Sequence, residues 1–103
     1  MRDNAAYGAG EPGAGTELGE WLAEHRVALT GSDTWSFGPY PPEDPARPFV
    51  VPQTLNVRYG VVVAENLRLA ELAAAGVAEF LLVLSHPKLR GATGAWTSPL
   101  AIV

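Results

Sequence analysis

Six of the nine prolines in this 103-residue chain fall between Trp35 and Gln53, at Pro39, Pro41, Pro42, Pro45, Pro48 and Pro52. Each fixes φ and removes a backbone donor, and each biases the residue before it away from helix. Residues 35–53 are therefore expected to form a long irregular loop. A loop of that length in a small domain is commonly functional or packed on a neighbour. Regular structure must sit on either side of it.

Before the loop, residues 1–15 are rich in Gly and Ala and read as a flexible lead-in. Thr16 can cap a helix, with Glu17 and Glu20 in its first turn. Leu18, Trp21, Leu22 and His25 follow at i, i+3, i+4 and i+7, one helical face. Val27–Thr30 predicts a short strand, closed by the polar turn Gly31-Ser32-Asp33-Thr34. After the loop, Thr54–Arg58 alternates in the manner of a strand, with Leu55 and Val57 on one side. Tyr59-Gly60 predicts a turn or bulge, and Val61–Ala64 a buried strand. Leu69, Leu72 and Ala73 share a helical face that Gly76 stops. Phe80–Leu84 predicts another buried strand. Leu100–Val103 predicts a last one, paired within the sheet. The alternation argues for an α/β fold with a mixed sheet and flanking helices.

Seven Lys and Arg against eleven Asp and Glu give a net charge of −4. No basic run is present, which argues against nucleic acid, whose phosphates need clustered positive charge. With no cysteine, disulfides, thiolate metal sites and cysteine nucleophiles are excluded together. The apolar runs are too short to span a bilayer, and the N-terminus lacks the pattern of a signal peptide. The expected location is cytoplasmic.

Chemistry-bearing residues are few. Glu65 follows the apolar run Val61–Ala64, where a sheet rim can hold a carboxylate toward a ligand; the competing role is helix capping. Asp33 stands after the first strand, as a substrate-orienting residue or an Asx-turn residue. His86 precedes Pro87 in a loop, whereas His25 lies on the helix's apolar face. No histidine pair has metal-motif spacing. The serines lack a nucleophile-elbow context, and GATGAW lacks the Walker lysine. Trp35 and Trp96, both in loops, are candidates for a ligand wall or a subunit contact.

Taken in order, WLAEHRVALTGSDTWSFGP, PQTLNVRYGVVVAENLRLAEL, FLLVL, KLRGATG and the terminal AIV resemble the C-terminal region of the cyclase family, which includes bacterial kynurenine formamidases. The resemblance runs from about Trp21 to Val103. It implies an α/β fold with a mixed, partly barrel-like sheet, here incomplete relative to the full family fold, within a 16–103 domain. It implies a metal-dependent hydrolase that cleaves amide (formamide) or ester-like bonds, an arylformamidase-like activity of tryptophan catabolism. It also implies zinc or manganese, a small-molecule amide or ester substrate, and a homo-oligomer. Glu65, in Glu65-Asn66-Leu67, matches the family's late glutamate ligand. Asp33, Trp35, Gln53, His86 and Trp96 become the candidates for its substrate pocket.

Two departures matter. Pro52 stands where the family has a histidine before Gln53, and proline cannot ligate a metal. The family's HxGTHxD motif is absent from the chain. A catalytic zinc takes about three protein ligands. The expectation is that this chain alone binds no metal stably and is catalytically incomplete, lacking an N-terminal half. The alternative expectation is a non-enzymatic oligomerisation or binding module derived from the same family.

Overall fold

The computed structural model describes residues 3–103. The chain divides into two compact units, within Met1–Leu69 and Ala70–Val103.

The first unit opens with helix α1, Asn4–Gly8, where a flexible lead-in was expected. Its start is set by Asp3, whose Oδ1 accepts from the backbone N–H of Ala5 and Ala6, each at 3.0 Å. This is the standard way to satisfy orphan donors at a helix start. Glu11 then forms an antiparallel bridge with Tyr40.

Helix α2 spans Thr16–Glu24 as the spacing predicts, but Gly15 takes the N-cap position in place of Thr16. The capping acceptor comes from the proline-rich loop. Glu43 Oε2 accepts from both the backbone N–H and the hydroxyl of Thr16, each at 3.0 Å. Gly19 is the buried residue of this helix; a Cβ there would come within 3.0 Å of Val51 Cγ1. Leu22 packs on the core, while Leu18 and Trp21 are exposed. His25 closes the helix, its Nδ1 2.8 Å from the Trp21 carbonyl and its ring stacked on Trp21.

The Glu43 contact has a pH signature. Its carboxyl is held below the ordinary 4.5, first by the backbone N–H of Thr16 and then by the Thr16 hydroxyl. A carboxyl depressed in the folded state contributes stability above its unfolded value and loses it as pH falls through the folded one. Glu43→Gln should therefore flatten the stability–pH curve on the acid side of 4.5, a small effect at this exposed site. Urea midpoints measured across that range check it; parallel curves for the two proteins would remove the cap's role.

Strand β1, Leu29–Gly31, pairs in parallel with β2, Val62–Ala64, in the register Leu29 to Val62, Thr30 to Val63 and Gly31 to Ala64. The link between them runs through the proline-rich loop into helix α3, Val50–Gln53, which continues as a π-helix over Thr54–Tyr59. Pro52 sits in the first turn of α3, where its missing donor costs nothing.

The π-helix replaces the strand expected at Thr54–Arg58. Period-2 alternation would place Leu55 and Val57 on one face and bury both. Instead Leu55 is fully buried and Val57 is 86% exposed. Helical winding separates them, and the wide turn closes at Gly60, whose φ of 68° is easiest for glycine. The core of this unit is Ala14, Phe37, Val51, Leu55 and Val61, with Leu22, Val27, Val50 and Val63 packed against it.

The second unit holds helix α4, Ala70–Ala74, and the antiparallel pair β3, Leu81–Val83, with β4, Leu100–Ile102. Gly76, at φ 65°, stops α4 as expected. The terminal strand is paired, also as expected. Burial is the correction: every residue of β3 and β4 is exposed. An apolar run signals strand but does not say which chain covers it.

The fold is thus mixed α and β. Among the described residues the strands form two separate two-stranded sheets, one parallel and one antiparallel, and no closed barrel. No helix among them is long and apolar enough to cross a membrane.

Candidate functional site

The carboxyl ends of parallel strands leave backbone groups and loops facing a common edge, which is where ligands bind in α/β sheets. In the first unit that edge is formed by the segment after β1, Ser32–Gly38, and the segment after β2, Glu65–Leu67. The two are laced together by backbone bonds. Ser32 N–H donates to the Ala64 carbonyl at 3.0 Å, Asn66 N–H to Thr34 at 2.8 Å, and Leu67 N–H to Ser32 at 2.9 Å. Asn66 reaches this geometry in the left-handed region, at φ 57°, which asparagine tolerates better than most residues. Thr34 Oγ1 donates to the Ser36 carbonyl at 2.6 Å and lies 2.8 Å from Ser32 Oγ.

Three successive backbone N–H groups of this loop meet carboxylates. Trp35 donates to Glu11 Oε2 and Ser36 to Glu11 Oε1, both at 2.8 Å. Phe37 donates to Glu65 Oε1 at 3.0 Å. Ser36 and Phe37 are buried, so each amide needs an acceptor. Charged acceptors make the stronger version of that bond. Tyr7 donates from its hydroxyl to Asn66 Oδ1, tying α1 to the same edge.

Of the residues proposed from sequence, Glu65, Asp33 and Trp35 lie on these adjoining segments. Asp33 is exposed. The Trp35 ring packs against Tyr40 and Phe49, with centroids 5.4 and 6.2 Å away, and its Nε1 is buried without a hydrogen-bond partner. These rings and the surrounding prolines line a shallow cleft with a cavity volume of about 20 Å³, room for a water rather than a substrate. Gln53 is exposed at the end of α3. His86 and Trp96 belong to the second unit. His86 Nδ1 lies 3.0 Å from the Pro87 carbonyl, and Trp96 is 78% exposed.

Sequence reasoning did not find Tyr7, Glu11 or Asn66. Glu11 is an isolated acid in a Gly- and Ala-rich stretch, and no local spacing marks its partners at Trp35 and Ser36.

Glu65 meets the backbone here as a loop-holding carboxylate. Among the described residues no group of three or more His, Cys, Asp and Glu side chains is placed to hold a metal ion.

No protein-family model matches the chain, and neither a curated protein nor a solved structure does so.

Proposed function

We propose that this chain is the C-terminal part of a metal-dependent hydrolase of the cyclase family, arylformamidase-like, acting on amide (formamide) or ester-like bonds in the cytoplasm. By itself it is catalytically incomplete. The reading rests on the ordered resemblance of five segments. The observation that carries it is the place of Glu65, at the carboxyl end of β2 and in hydrogen-bond contact with the loop after β1. The remaining ligands would come from residues outside this chain, and the family's partly barrel-like sheet would need strands beyond the four described.

The test is complementation. The chain is mixed with a polypeptide carrying the HxGTHxD half of a family member, and hydrolysis of an aryl formamide is followed. Turnover is expected in the mixture alone, and Glu65→Ala should return it to the level of the separate parts. A mixture with no turnover, or one indifferent to Glu65→Ala, overturns the reading.

A second reading has its own observation. Leu81, Leu82, Val83, Leu100 and Ile102 are all exposed in the second unit, and no residue of that unit is buried. A bare two-stranded pair is marginal in water, and contiguous exposed apolar surface marks an interaction site. This favours an oligomerisation or binding module. A stable metal-free oligomer that stays inactive in the mixture supports this reading over the hydrolase.

A further inference from the structure

We infer that the Trp35–Ser36 loop is a binding site for a small carboxylate, and that Glu11 of the same chain plugs it. The inference does not depend on the hydrolase reading.

Two consecutive backbone N–H groups converge on the two oxygens of one carboxylate, each at 2.8 Å. Successive amides pointing into one concavity form an anion site. The occupying group shows the chemistry that the site accepts: a planar monoanion with two oxygens.

The loop has anchors besides Glu11. Bonds from Ser32 to Ala64, Asn66 to Thr34 and Thr34 to Ser36, together with Phe37 to Glu65, hold it on the edge of the β1–β2 pair. Glu11 reaches it from a separate segment. That segment is fastened by the Tyr7–Asn66 bond, by reciprocal backbone bonds between Glu11 and Tyr40 at 2.9 and 3.0 Å, and by Ala14 N–H to Phe37 at 2.9 Å. Residues 7–14 therefore act as a strap that carries a carboxylate to amides already positioned for one. Removing the carboxylate leaves the N–H of buried Ser36 in need of another acceptor.

A tethered group competes at an effective concentration in the millimolar range or above. Free acetate should therefore not displace Glu11 from the wild-type chain at comparable concentrations.

The test is an acetate titration followed by amide NMR, with sodium chloride at matched ionic strength as control. In Glu11→Ala, saturable downfield shifts are expected at Trp35 and Ser36, with acetate and not with chloride. The wild type should show neither. Glu11→Met, which keeps nearly the same side-chain size but offers no oxygen acceptor, is carried alongside in case the alanine variant fails to fold. Absent shifts, or equal shifts with chloride, in whichever variant is folded overturn the inference. Unfolding of both variants overturns it too, because a bond that the fold cannot lose is structural and not a removable plug.

Discussion

Leu55→Ala is expected to bring the first unit to the edge of unfolding at room temperature. Among the described residues, Leu55 is the one large side chain that is completely buried. It joins Ala14, Phe37, Val51 and Val61 in a small buried core. Truncating a buried leucine to alanine costs about 2–5 kcal/mol, through lost transfer energy and the cavity left behind. A unit of this size has a total stability of only about 3–10 kcal/mol. A core this small has few neighbours able to collapse into the void. The π-helix that carries Leu55 depends on the same packing, because its wide turns have little intrinsic stability. Urea unfolding followed by circular dichroism should show the midpoint falling by half or more. Leu55→Met, which nearly conserves volume, should cost less than about 1.5 kcal/mol. A loss below about 1 kcal/mol for the alanine variant would mean that Leu55 does not anchor the core.

Leu55 also shows where sequence reading succeeds and where it stops. The turn at Gly60 and the strand after it were legible from φ preferences and β-branching; the loop expected over residues 35–53 was legible only as far as Phe49, because Val50–Gln53 winds into α3 with Pro52 in its first turn, where proline is tolerated. The element between them was not. In Thr54-Leu55-Asn56-Val57-Arg58, alternation of apolar and polar residues is the pattern of a half-buried strand. The chain winds instead, because α3 continues into it and one buried leucine suffices to fasten it. The same limit applies to Phe80–Leu84. An apolar run reports strand propensity, while its burial depends on what packs against it. The site divides along similar lines. The strand-end positions of Glu65 and Asp33 were legible because each follows an apolar run, and the loop position of Trp35 because of the prolines that follow it. Glu11 was not, since its partners lie 24 and 25 residues away and no short spacing encodes a contact of that range. Likewise Glu43 caps a helix from 27 residues away, where the local sequence suggested that Thr16 would cap it.

Gly31→Ala should damage the site more than the fold around it. Gly31 is the last residue of β1 and is paired with Ala64. A Cβ at Gly31 would stand 2.7 Å from the Ala64 carbonyl oxygen and 2.7 Å from Leu67 Cδ1. The Leu67 methyl can swing aside. The Ala64 oxygen is backbone, and it also accepts the N–H of Ser32 at 3.0 Å. Relief therefore requires the ends of β1 and β2 to separate by several tenths of an ångström. Overpacking of this kind costs about 1–3 kcal/mol. The structural consequence falls on the two segments that leave the strands at that point. The Ser32–Ala64 and Leu67–Ser32 bonds lengthen first, and the Phe37–Glu65 contact depends on them. Hydrogen exchange at Ser32, Phe37 and Leu67 should accelerate well beyond the change at Leu29 and Val62, the far end of the same ladder. Uniform acceleration along both strands would show that the substitution weakens the pair as a whole. Unchanged exchange at Phe37 would show that the Glu65 contact does not depend on the close approach of the two strands.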